Sequence, residues 1–137
     1  MRKILESVQK NLVFIIICSG LFVWPVLVLA HGWKAPSEAA QTPNPVELSE
    51  SSIQQGGKIY QARCAGCHGK TGQGDGPFAK NLDPKPSNLV ERLKGHSEGD
   101  YFWKISNGRG PMPGFKNQLS EKKIWDVINY IKSLSNN

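Results

Sequence analysis

Cys64-Ala65-Gly66-Cys67-His68 is the stretch on which the reading of this chain turns. Two thiols three residues apart on a helical turn lie on one side, where they can add to the two vinyl groups of a porphyrin. The imidazole that follows is then aimed at the iron. The C-x-x-C-H spacing therefore predicts one covalent haem c, with Cys64 and Cys67 as its anchors and His68 as an axial iron ligand. Three other uses of these residues fit less well. A thioredoxin-type redox pair needs a strand leading into the turn, whereas a helical pattern leads in here, and it makes no demand for the histidine. A structural zinc ion wants four ligands, and the remaining histidines, His31 and His96, are far from any second paired motif. A disulfide between Cys64 and Cys67 would close a very small, strained ring and contribute little to stability.

Toward the C-terminus lies the candidate for the opposite side of the iron. Apart from Met1 there is one methionine, Met112, within Asn107-Gly108-Arg109-Gly110-Pro111-Met112-Pro113-Gly114-Phe115. The flanking prolines stiffen the backbone and the glycines let the loop press close to a flat ring, so the thioether is expected as the second axial ligand. The competing residue, His96, sits in Lys94-Gly95-His96-Ser97-Glu98, a hydrophilic context that reads as an exposed turn. Trp103, Asn107 and Arg109 precede the Met112 loop and stand either as propionate contacts or as ordinary core and surface residues.

Around these motifs the expected architecture is all-α. Ser49 and Ser51 are candidate N-caps for a helix carrying Ile53, Gly56, Gly57, Tyr60 and Ala62 near one face and running into Cys64. Leu119-Ser120-Glu121 opens a closing helix whose apolar stripe is Ile124, Trp125, Val127, Ile128, Ile131 and Leu134. Shorter helical candidates lie at residues 77–82 and 99–106, and no strand pattern is present. Gly72, Gly74 and Gly76 make no nucleotide loop, since no apolar strand precedes them and no Lys-Ser/Thr follows.

The 137-residue length permits one small domain, assigned to residues 49–137. Residues 31–48, rich in Ala, Pro, Ser and Thr without an apolar period, read as a linker. Residues 1–30 read as a signal peptide or a membrane anchor. Arg2, Lys3 and Lys10 precede an uncharged apolar run, residues 12–30, that would reach roughly 28 Å as a helix, close to a bilayer's thickness. Trp24-Pro25 interrupts that run, and Val28-Leu29-Ala30 suits a signal peptidase, so cleavage and anchoring both remain open. Either way the domain is exported to the periplasm or the outer face of the cytoplasmic membrane. Cys18, inside the apolar run, reads as a buried apolar residue.

Three of the 17 basic and one of the 11 acidic residues precede His31, leaving 14 against 10 and a formal excess of +4. The basic residues are scattered singly, which gives no phosphate-tracking groove and no support for a nucleic-acid partner.

Over roughly residues 49–135 the chain resembles a class I, mono-haem cytochrome c. The residues that carry the resemblance are Gly56, Gly57 and Tyr60 before Cys64, then Gly74-Asp75-Gly76-Pro77, Leu82 with Pro84-Lys85-Pro86, Met112-Pro113-Gly114-Phe115, and Trp125 with Tyr130. The resemblance implies terminal helices packed crosswise around one covalent haem, a glycine on one receiving an aromatic from the other, and Gly56 and Tyr130 match those positions. It also implies a proline carbonyl accepting the ring N–H of His68, for which Pro77, Pro84 and Pro86 are all candidates.

With His68 and Met112 both on the iron, no position is open for a substrate, which describes a one-electron carrier and not an enzyme. The expected function is single-electron transfer between respiratory redox partners, whose contact surface would be the haem edge with Lys70, Lys80 and Lys116 as a docking rim. The alternative is a haem subunit of a periplasmic redox enzyme in which the sixth ligand is labile. No acid/base pair near the motif argues for it.

Overall fold

The computed structural model describes residues 32–135. Among these residues six α-helices follow in order: α1 (Ser37–Ala40), α2 (Glu50–Arg63), α3 (Ala65–His68), α4 (Leu89–Arg92), α5 (Glu98–Asn107) and α6 (Glu121–Leu134), with a 3₁₀ turn at Ala79–Asn81 between α3 and α4. No strand occurs among the described residues beyond one isolated bridge between Arg109 and Met112. The expected signal or anchor at residues 1–30 lies outside the described residues, as do Cys18 and His31. No described helix is long and apolar enough to cross a membrane.

Each longer helix begins at a serine that satisfies a backbone N–H which the helix itself leaves without a partner. Ser49 accepts from the N–H of Ser52, Ser97 from that of Asp100 and Ser120 from that of Lys123. Of the two candidate caps for α2, Ser49 is the one used, and Ser51 is exposed within the first turn.

The two long helices, α2 and α6, form the main packing pair. Their approach is set by Gly56, which is buried. A Cβ there would run into the Asp126 carbonyl oxygen, so only glycine lets the two backbones touch. The neighbouring Gly57 takes the aromatic: a Cβ on it would lie 3.0 Å from the Tyr130 ring. The expected Gly56–Tyr130 contact is therefore displaced by one residue. Gly56 admits the backbone of α6, and Tyr130, one turn beyond Asp126, lies over Gly57 and packs on Tyr60 with ring centroids 5.1 Å apart.

Around this crossing Tyr60, Ile105, Phe115, Ile124, Trp125, Val127, Ile128 and Ile131 form the buried core, each large aliphatic contributing about 1.5–3 kcal/mol of burial. Phe102 of α5 stacks on Trp125 at 4.3 Å and 14°. Helix α6 is buried beyond its apolar stripe, since Asp126 and Asn129 are also enclosed. Their polar atoms are satisfied by Ser52, whose hydroxyl donates to Asp126 at 2.7 Å and accepts from Asn129 at 2.9 Å.

Residues 33–48 differ from a free tether. The Ala35 N–H donates to Asp100 at 2.7 Å, the Ser97 hydroxyl donates to the Ala40 carbonyl at 2.5 Å, and Asn44 donates to Asn129 at 2.9 Å. These attachments use backbone groups and single side chains, so no hydrophobic period in the sequence announces them.

Replacing Gly56 with alanine is expected to destabilise the protein by about 1–3 kcal/mol through overpacking at the helix crossing, read as a lowered midpoint in chemical denaturation. Gly57→Ala should cost less, because the Tyr130 ring can swing aside where the α6 backbone cannot.

Candidate haem site

Helix α2 delivers its last turn to Cys64, whose N–H still donates to the Tyr60 carbonyl at 2.8 Å. The Cys64 carbonyl then accepts from Cys67 at 3.1 Å and from His68 at 2.9 Å, forming the tight turn that carries all three chemical groups. The following loop covers the carbonyls of that turn one by one. Gly69 donates to Ala65 at 2.9 Å, Phe78 to Gly66 at 2.9 Å, Gly76 to Cys67 at 3.1 Å and Gly74 to His68 at 2.8 Å. The glycines read as a loop edging the haem thus build the frame of the attachment turn. Tyr60 adds a bond from its hydroxyl to the Gly69 carbonyl at 2.8 Å. Burial, followed by the nearby Cys64, raises that phenol well above its usual range and keeps it a donor.

Cys64 and Cys67 are half-buried and share no disulfide. Burial, and then the adjacent Cys67, pushes the Cys64 thiol up to about 12. No three His, Cys, Asp or Glu side chains converge as metal ligands among the described residues.

The His68 Nδ1 lies 3.1 Å from the Ser87 carbonyl oxygen. Burial lowers the imidazole's pKa, opposed by the hydrogen bond to Ser87, so the ring is neutral at neutral pH. Donation from Nδ1–H to Ser87 assigns the tautomer and leaves the Nε2 lone pair for a metal. The acceptor is thus Ser87 and none of Pro77, Pro84 and Pro86. The Pro86 carbonyl instead lies against Gly74, where a Cβ would run into it, and the Leu89 N–H holds the same segment to the Gly72 carbonyl at 2.6 Å.

Met112 sits on a separate turn after α5. Arg109 and Met112 exchange backbone hydrogen bonds at 3.0 and 3.1 Å, and Phe115 and Lys116 tie the end of the loop to the Ile105 and Ser106 carbonyls of α5. Met112 is half-buried against the apolar core that Cys64, Leu89 and Phe102 also border.

His96 is enclosed, unlike the exposed turn expected of it. Its side chain is 10% exposed, its Nδ1 lies 2.8 Å from Asp100, and its ring meets Tyr101 edge-on at 6.5 Å. The hydrophilic flanks concealed this because the covering groups come from α5. Asn107 donates to the Trp103 carbonyl and accepts from Lys116, while the Arg109 guanidinium lies over Trp33. Lys70, Lys80 and Lys116 are exposed. Ser87, Asp100 and Trp33 carried no motif that singled them out. Phe78, 62% exposed with its ring against Gly66, had only its position after Gly76-Pro77 to mark it.

The donor set suits a covalent haem: two unpaired thiols on one turn, an imidazole with Nδ1 committed, and a thioether bordering the same apolar core. The family model described as "Cytochrome C oxidase, cbb3-type, subunit III" matches residues 51–131. The chain belongs to the cytochrome c family. This cytochrome is 32% identical over 82 residues to the cytochrome c6 of Limnospira maxima, covering 58% of this chain and 89% of that one. Against the cytochrome c6 of Leptolyngbya boryana it is 38% identical over 76 residues, covering 56% and 85%. The cytochrome c-555 of Methylococcus capsulatus is 35% identical over 88 residues, covering 63% and 65%. Among solved structures, a chain of the "Kuenenia stuttgartiensis reducing HAO-like protein complex" superposes with a TM-score of 0.59 at 32% identity. That match covers 66% of the cytochrome but just under half, 46%, of the solved chain. The protein is accordingly a mono-haem, class I cytochrome c with one covalent haem c, an electron carrier and not an enzyme.

Gly74→Ala places a Cβ against the Pro86 carbonyl at a backbone φ of +82°. It is expected to destabilise the protein by about 2 kcal/mol or more and to disturb the Ser87–His68 bond. Thermal unfolding of the holoprotein and its reduction potential read the two effects separately.

Proposed function

We propose that this cytochrome is an exported one-electron carrier of a respiratory chain, with haem bonded to Cys64 and Cys67 and its iron held between His68 and Met112. The observation that carries the reading is the His68–Ser87 bond, which presents Nε2 as a ligand from the residue next to two free thiols. The haem supplies reversible one-electron chemistry at the iron. His68, its orientation fixed by Ser87, and Met112, on a turn closed by its own hydrogen bonds, are the residues that would hold the iron. With neither side chain required to leave, little reorganisation would accompany electron gain or loss, and an imidazole and thioether ligand pair would favour a raised potential. Export follows from the basic cluster and apolar run of residues 1–30. Partners dock at the edge of the attachment turn, where Phe78 offers an exposed apolar contact and Lys70 and Lys80 supply positive charge.

A second reading is a carrier module within a multi-subunit redox enzyme. It is favoured by the "cbb3-type, subunit III" match and by the likeness to a chain of a larger complex. Co-purification of a stable partner enzyme in stoichiometric amount would select it.

Met112→Ala should abolish the thioether-to-iron charge-transfer band of the oxidised protein and admit carbon monoxide to the reduced one. The potential should fall on the order of 0.1 V, within the roughly 0.8 V range that axial ligands span. A band that survives this substitution would remove Met112 from the iron. Replacing either cysteine with serine should eliminate its thioether link, visible as a changed pyridine haemochrome spectrum.

A further inference from the structure

The family match covers residues 51–131, and residues 33–48 lie ahead of it. The first half of that segment is pinned along α5, and its later part, at Asn44, Val46 and Glu47, to Asn129 of α6. The Ala35 N–H meets Asp100, which is 4% exposed, and the Ala40 carbonyl receives Ser97. Gly99 is the point of closest approach, since a Cβ there would run into the Ala39 carbonyl oxygen. At its start the half-buried indole of Trp33 meets two cations: the Lys104 ammonium lies 5.6 Å and the Arg109 guanidinium 5.3 Å from the ring centroid. Lys104 belongs to α5 and is itself held by Asp100 at 2.6 Å. Arg109 belongs to the Met112 turn, and its backbone N–H and carbonyl are the groups that bracket Met112.

The indole therefore spans the rigid helix and the turn that presents the thioether. Arg109 stands between two glycines at positive φ, Gly108 at +66° and Gly110 at +58°. Lys104 and Arg109 also repel one another, and the negative face of one indole attracts both.

We propose that Trp33 is a positioning residue for Met112: by binding Lys104 and Arg109 together it braces the Arg109–Met112 turn and favours the thioether's place on the iron. This rests on the Met112 ligation proposed above. The brace acts on the equilibrium between thioether bound and thioether released, and touches neither His68 nor the two cysteines. Each cation–π contact at a partly exposed site corresponds to about two- to fivefold in such an equilibrium, so losing both amounts to about tenfold.

Imidazole titration of the oxidised holoprotein, followed by the shift of its Soret band, tests it. Trp33→Ala should lower the apparent Kd for imidazole about tenfold, Trp33→Phe about threefold, and Arg109→Gln, which leaves the strap's anchors on α5 intact, about threefold. In a Met112→Ala background Trp33→Ala should leave that Kd unchanged. A Kd within about twofold of the parent in Trp33→Ala, or an equal shift in the Met112→Ala background, would overturn the brace while leaving Met112 as ligand. An oxidised parent protein with no thioether band, and with imidazole affinity unaltered by Met112→Ala, would overturn the ligation itself and the brace with it.

Discussion

The close crossing of α2 and α6 is the constraint on which the rest of the structure depends. Gly56 has no side chain, so the α6 backbone can reach it at Asp126, and that approach brings Tyr130 onto Gly57 and Tyr60. Tyr60 in turn reaches the Gly69 carbonyl at the exit of the attachment turn. One missing Cβ thus fixes how the C-terminal helix supports the segment that bears the chemistry. A wider crossing would leave the Ser52–Asp126–Asn129 network buried with its bonds stretched, and buried polar groups without partners are costly.

The attachment turn is stabilised less by side-chain burial than by complete use of its backbone. Four successive carbonyls, from Ala65 to His68, accept from a loop rich in glycine. A small fold holding a large flat cofactor has few residues left to pack around the turn. Hydrogen bonds from a loop that can pass close to it serve instead, and Phe78 lies over Gly66 on the outside. The same loop continues to Ser87, so the segment that closes the turn also orients the imidazole.

The Met112 side of the site is built differently. Its turn is closed by two hydrogen bonds between Arg109 and Met112 and held at its far end to α5. Helix α5 is in turn clamped between α6, through the Phe102–Trp125 stack, and the strap of residues 33–48, through Asp100 and Ser97. The two halves of the site therefore have different immediate supports, one running from α2 and the other from α5. A support that reaches only the second half would act on the proposed Met112 ligand without disturbing His68.

Local chemistry made much of this legible in the residues alone. The C-x-x-C-H spacing announced the haem, the serine caps announced the helix starts, and the three-to-four period announced the buried stripe of α6, because each depends on residues near one another in the chain. Tertiary structure decided what depends on residues far apart. It chose Ser87 over the prolines as the partner of His68, because the Pro86 carbonyl lies against Gly74. It set Tyr130 over Gly57, because Gly56 was taken by the α6 backbone. It enclosed His96 beside Asp100, and it turned an Ala- and Pro-rich segment into a strap, because backbone N–H and carbonyl groups bind through their position in space and leave no mark in the order of side chains.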